Sequence, residues 1–288
     1  MRALTRFFLY SNLLIAVCAV TMTWETLYFF TPGQARNAAP LLIFVGFASL
    51  AAYGIHWLLS LTHPHPIPRI DWTRTNFRLM MTVTIVSLIG AILMFWPFRL
   101  HWMPVLPAAG LTLIYILPKV DRFRRLRSIA FGKTFLLATT WTYITAVMPL
   151  LIQQIPLDGP WLWFTLGRFF LVYAICLLFD HRDVEQDLRE GLSTLPARIN
   201  EHQLTFIFSS SLAVCIFCMV FSLRLWVPDG FIPGTAANAW LLLSRLASPL
   251  ILAFLFKKAL HSHGDFLYYG ILDFLMMLSG LLSFGIAF

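Results

Sequence analysis

Nine apolar stretches, at residues 8–30, 40–61, 78–97, 102–118, 133–154, 160–179, 204–226, 239–259 and 266–286, follow one another along the 288-residue chain. Most approach the length of about 20 residues that carries an α-helix across the hydrocarbon of a bilayer. Backbone N–H and C=O groups find no water there, so each run must satisfy them within its own helix. The pattern predicts an all-α, polytopic membrane protein with nine spans. Composition agrees: 59% of the residues are hydrophobic and 12% charged, with 27 Phe and 10 Trp. A water-soluble domain of this size cannot cover so much apolar surface. The spans leave no room for a separate soluble domain, and residues 1–288 are read as one transmembrane domain.

The first stretch is longer than a signal core, and Trp24 and Glu25 stand where a cleavage site needs small residues. It is read as a retained helix. An acid buried in a span marks a functional site by its cost. Trp24 and Tyr28, however, are interfacial anchors in character, and a boundary position for Glu25 is preferred.

Basic residues set the orientation. With the N-terminus in the cytoplasm, sixteen Lys and Arg fall on the inner side and three, Arg36, Arg99 and Arg224, on the outer. That bias predicts an odd number of spans and an external C-terminus. Multi-pass insertion in a bacterial inner membrane is expected. Arg168 and Arg245 remain inside apolar spans and require polar partners or an aqueous cavity. The net charge of +8 comes largely from short inner connections. Topology and anionic lipid headgroups account for it, and nucleic acid is not expected as a partner. Cys18, Cys176, Cys215 and Cys218 all fall in spans and are read as packing residues rather than disulfides or metal ligands.

The proline-rich segment from His63 to Trp72 is read as a stiff turn, in preference to a metal site at His63 and His65. No glycine-rich phosphate loop, nucleotide fingerprint or tandem repeat occurs, and no Ser-His-Asp spacing supports a hydrolase.

The segment Asp180-His-Arg-Asp-Val-Glu-Gln-Asp187 carries the chemistry. Asp180, Asp183 and Asp187 recur at offsets of three and four directly after an apolar run. In a helix all three carboxylates share one face. Like charges so placed repel, and a divalent cation bearing a diphosphate is one group that would relieve them, since hard cations prefer oxygen ligands. A solvated loop with Arg182 and Arg189 among the acids is the plainer alternative.

With Gly191, Thr194, Leu195 and Pro196, these aspartates resemble the second Asp-rich motif of the UbiA-type intramembrane prenyltransferases. Tyr115 with Pro118, and the run Tyr268 to Asp273, add weaker similarities. The resemblance implies a nine-helix bundle around a central cavity. It implies that Asp180, Asp183 and Asp187 hold Mg2+ at the cytoplasmic mouth. An isoprenoid would then pass from an allylic diphosphate to an aromatic or lipid-like acceptor. The implied partners are an isoprenoid diphosphate, a hydrophobic acceptor and membrane lipids. Lys133 and Arg182 are candidates for diphosphate binding. For Lys133, which opens the fifth stretch after Gly132, plain positive-inside bias is an equal alternative.

One departure stands against the match. The family carries a first acidic motif near the end of its second helix, but residues 51–60 contain no acid. Tyr53 and His56 stand roughly in its place. They are candidates to donate hydrogen bonds to a diphosphate, although a purely structural polar network is preferred for His56. Three function classes therefore stay open: an active prenyltransferase with an atypical site, a non-catalytic binder of polyprenyl lipid or quinone, and a transporter or structural protein on the same scaffold.

Overall fold

The computed structural model describes residues 3–31, 38–62, 68–116, 132–189, 194–226 and 236–284. Among them there is no strand. The helices are α1 (Ala3–Tyr10), α2 (Leu13–Phe30), α3 (Ala39–Leu59), α4 (Pro68–Thr75), α5 (Phe77–Phe95), α6 (Val105–Ile116), α7 (Gly132–Thr142), α8 (Met148–Ile152), α9 (Gly159–Arg182), α10 (Val184–Arg189), α11 (Glu201–Trp226), α12 (Ala236–His261) and α13 (Asp273–Phe284). A π-helical turn, Tyr143–Val147, joins α7 to α8, and another, Phe266–Leu272, leads into α13. Each of these pairs therefore runs as one rod.

Eight rods are long and apolar enough to cross a membrane. The fourth expected span is the exception. Its described helix, α6, has 12 residues. At 1.5 Å per residue it is about 18 Å long, well short of the roughly 30 Å of hydrocarbon. The chain is thus an all-α, polytopic membrane protein with eight long candidate spans among its described residues. The first expected span also differs. It breaks at Ser11 and Asn12, where Asn12 takes a left-handed φ of 65°, and the long helix begins only at Leu13. Asn tolerates that conformation because its short polar side chain bonds locally or to a neighbour. The His63–His65 turn, the basic residues Lys119, Arg122, Arg124, Arg125 and Arg127, and Gly191 lie outside the described residues.

Helix α9 is the central rod and packs on α7, α11 and α12. Helix α2 packs on α3 and α13, and α5 lies against α3. The outer helices turn apolar side chains outward: Ile85, Val86 and Ile92 on α5 and Phe254 on α12 are all exposed. Such a surface suits lipid tails. Glycine permits a close approach of α13 to α2. A Cβ on Gly280 of α13 would lie 2.9 Å from the Thr21 carbonyl oxygen of α2. Small residues of this kind let membrane helices pack backbone to backbone. The four cysteines are buried free thiols, as packing residues should be.

A buried ion cluster ties five rods together. Glu25 of α2 does not lie at a wet boundary but is 2% exposed. Its Oε2 accepts from Arg168 Nη2 of α9 at 2.5 Å and its Oε1 from Arg245 Nη1 of α12 at 2.9 Å. Ser279 of α13 donates to Oε1 as well. Arg168 Nη1 also reaches Met22 O, Thr26 Oγ1 and Thr145 O at 2.9, 2.6 and 2.8 Å. Phe29 and Phe164 stack against the guanidiniums. The intramembrane arginines thus take Glu25 as their shared partner. Taking the acid out of water is tolerated because two cations and a hydroxyl replace its hydration.

Candidate functional site

A cavity of about 750 Å3 lies within the bundle. Apolar side chains of α2, α6, α7 and α9 line much of it, including Ile15, Leu111, Leu137 and Ile175. Polar side chains gather at two places on its wall.

The first is built by the start of α7 and the end of α9. Helix α7 opens at Gly132, which places Lys133 in its first turn, beside the last turn of α9 where Asp180 lies. Lys133 Nζ is 3.1 Å from Asp180 Oδ1 and 3.0 Å from Asp187 Oδ2. Thr134 Oγ1 donates to Asp180 Oδ2. The helix is interrupted at Asp183, where α9 ends and α10 begins, so the expected single face is not formed. Asp180 and Asp187 converge on Lys133. Asp183 turns to Arg182 instead, accepting from its Nε at 2.7 Å and its Nη2 at 3.3 Å. Asp187 is 4% exposed. Burial pushes its carboxyl up from 3.8 to about 6, helped by neighbouring Asp180 and opposed by Lys133.

The second polar place brings together α2, α4, the end of α9 and the start of α13. Arg69, 5% exposed, follows the proline-rich connection. Its Nη2 donates to Asn12 Oδ1 at 2.5 Å, so the break between α1 and α2 has a role in holding this arginine. Its guanidinium lies 4.2 Å from the Trp57 ring and 4.5 Å from the Tyr269 ring. Arg182 also stacks on Tyr269, at 4.7 Å, and donates to its hydroxyl at 2.9 Å. Asp273 and Asp265 complete the wall, with the Tyr10 hydroxyl donating to Asp265. Burial and that acid push the Tyr10 phenol well up.

The seven candidate site residues, Asp180, Asp183, Asp187, Lys133, Arg182, Tyr53 and His56, all line this one cavity. Tyr53 and His56 are there, with Tyr53 accepting from Trp141 Nε1 at 3.1 Å and His56 stacked on Tyr115 at 5.3 Å. Asn12, Arg69, Asp265 and Asp273 were not anticipated as site residues. Asp273 could have been, since an acid inside an apolar run is a functional candidate by its cost. Arg69 was hidden among cytoplasmic basic residues. No group of three His, Cys, Asp or Glu among the described residues is arranged to hold a metal ion. Two carboxylates do converge on one cation, that of Lys133.

No family model matches the chain, and no curated protein matches it. A solved structure does: one described under "Structural and mechanistic insights into the biosynthesis of Digeranylgeranylglyceryl phosphate synthase in membranes" aligns over 99% of this chain and 100% of its own, with a TM-score of 0.51 and 12% identity. At that identity the likeness is one of fold. The chain shares the overall fold of that structure over nearly its whole length.

Proposed function

We propose that this protein is an intramembrane prenyltransferase, moving an isoprenoid group from an allylic diphosphate to a hydrophobic acceptor. The observation that carries the reading is the Lys133 ammonium held between Asp180 and Asp187 on the wall of a largely apolar cavity. An amphipathic donor needs both parts: an apolar chamber for its chain and a charged end for its head.

Mg2+ fits the donor set. Asp180 and Asp187 offer hard oxygens around one cationic position. Among the described residues the cavity wall carries five aspartates against Lys133, Arg69 and Arg182. Left to itself that wall repels a diphosphate, and a divalent cation corrects the balance. Asp180 and Asp187 would hold the ion, and it would supply positive charge to the leaving diphosphate. Lys133 adds a point charge to the phosphates. Asp183 keeps Arg182 in place, and Arg182 offers further donors. Tyr53 and His56 face the same space and contribute hydrogen bonds in place of the acids that residues 51–60 lack. The apolar wall excludes water from the allylic cation. An N-terminus in the cytoplasm and a C-terminus outside belong to the same reading.

A second reading rests on a specific observation. Tyr53 is already engaged with Trp141 and His56 is stacked on Tyr115, so both can serve as packing rather than chemistry. A non-catalytic binder of polyprenyl lipid would need no more. Purified protein assayed with geranyl, farnesyl and geranylgeranyl diphosphates and a panel of acceptors, with Mg2+ and with EDTA, decides between them. Mg2+-dependent pyrophosphate release, lost in Asp180→Asn, supports the enzyme. Bound polyprenyl lipid with no release in any condition supports the binder.

A further inference from the structure

Asp273 stands apart from the rest of the cavity wall. It opens α13, is 8% exposed and lines the cavity. Asp180, Asp183, Asp187 and Asp265 each have a partner: Lys133, Arg182, Lys133 again and Tyr10. The Asp273 carboxylate has neither a hydrogen bond nor an ion pair with a described residue. A charged group so deeply placed and unpartnered is costly, and a ligand that satisfies it relieves that cost.

The surroundings say what kind of ligand. Arg69 and Arg182 line the same cavity as Asp273, and their charges act on its carboxyl. Tyr53 and Cys176 line the same cavity, and Cys18 Sγ donates to its backbone oxygen at 3.2 Å. Two guanidiniums acting on this carboxylate disfavour a metal cation beside it. The carboxylate itself repels an anion. A neutral hydrogen-bond donor meets neither objection. Asp273, Cys176, Asp180 and Lys133 all line the one cavity, so a donor at Asp273 shares its space with the proposed diphosphate site. Two unused guanidinium donors, Arg69 Nε and Arg182 Nη1, are also buried without a partner and are available to the oxygens of the same molecule.

We infer that Asp273 is the proton acceptor of the transfer reaction and that the acceptor substrate is a hydroxyl compound, an inference that rests on the prenyltransferase reading above. The C1–O bond of the allylic diphosphate breaks and its electron pair leaves with the diphosphate. A lone pair of the acceptor oxygen forms the new C–O bond at C1. The acceptor's O–H bond breaks and its proton passes to a carboxylate oxygen of Asp273, which returns it to water when the product leaves. Arg69 and Arg182 are positioning residues that offset the charge of the carboxylate between turnovers.

The test uses the full chain in lipid nanodiscs with Mg2+ and farnesyl diphosphate. Two probe acceptors are compared at pH 8: 1-O-octylglycerol, a neutral alcohol, and 4-nitrophenol, which is already ionised and needs no base. In Asp273→Asn, transfer to octylglycerol falls by about 100-fold or more, the usual worth of a general base, while transfer to nitrophenolate and acceptor-free pyrophosphate release stay within about threefold of wild type. Asp273→Glu keeps the carboxylate and restores part of the octylglycerol reaction. It gives a second route to the answer if the Asn variant folds poorly. Unchanged octylglycerol transfer in Asp273→Asn overturns the assignment. Equal loss with both acceptors also overturns it, because that is what a structural role would produce. Wild-type protein that releases pyrophosphate yet prenylates neither probe removes the hydroxyl acceptor. Wild-type protein that releases no pyrophosphate removes the prenyltransferase reading itself.

Discussion

Arg168 Nη2 lies 2.5 Å from Glu25 Oε2, with both side chains sealed inside the helix bundle. Because Arg245 holds the other oxygen, this one acid neutralises charge on two helices at once. Glu25→Gln leaves two guanidiniums without a counter-ion, and the expected loss is about 3–5 kcal/mol, the cost of breaking a buried pair from one side. Thermal unfolding in detergent should show a much lower midpoint. Combining Glu25→Gln with Arg168→Met and Arg245→Met should recover a large part of that loss. No recovery would mean that the cluster acts through packing alone.

Lys133 occupies the position between Asp180 and Asp187 that a metal ion would take. Lys133→Met therefore has opposite effects on two ligands. Mg2+ alone should bind more tightly, since its carboxylates are released from the ammonium. A farnesyl diphosphate analogue with Mg2+ should bind about tenfold more weakly, equivalent to ~1.4 kcal/mol. Titration calorimetry measures both. Parallel changes in the two affinities would contradict the shared position.

Asp187 gives the metal-free protein a defined pH response. Its carboxyl titrates near 6 when folded against 3.8 ordinarily. Between those values the folded state holds more protons than the unfolded, so stability falls as pH rises through the window. At ~1.4 kcal/mol per pKa unit the effect of this buried group is roughly 3 kcal/mol. The unfolding midpoint should climb as pH is lowered from about 7 toward 4.5, and Asp187→Asn should remove that part of the climb. An identical pH profile in the variant would rule out Asp187 as its source.

Gly280 is fixed by its neighbour. The added Cβ of Gly280→Ala would lie 2.9 Å from a backbone oxygen of Thr21, which has no rotamer through which to retreat. Helices α2 and α13 would have to separate, at a cost of about 1–3 kcal/mol. Gly110, whose Cβ would meet nothing within 4 Å, is the control, and Gly110→Ala should not lower the melting midpoint.

Topology separates eight crossings from nine. If the segment containing α6 crosses the membrane, an N-terminus in the cytoplasm puts the C-terminus outside, and a reporter fused after Phe288 reads as extracytoplasmic. Eight crossings return it to the cytoplasm. Reporters placed in the connections before and after α6 show which crossing is lost.

The sequence by itself determined the class, the helices and where to look. Length and apolarity mark most spans to within a few residues, because a bilayer tolerates almost no other backbone. The acid run at 180–187 and Lys133 were legible because a charge beside an apolar span stands out against its background. What the sequence could not supply was partnership. Glu25 lies 143 residues from Arg168 and 220 from Arg245, and no local pattern relates them. The same holds for Asn12 and Arg69, and for the turning of Asp183 to Arg182 while Asp180 and Asp187 take Lys133. Helical spacing places carboxylates on a face, but which cation each meets depends on the neighbouring rod and on the break at Asp183. Only the tertiary structure decided that, since ion pairs across helices form wherever packing brings opposite charges together in low dielectric.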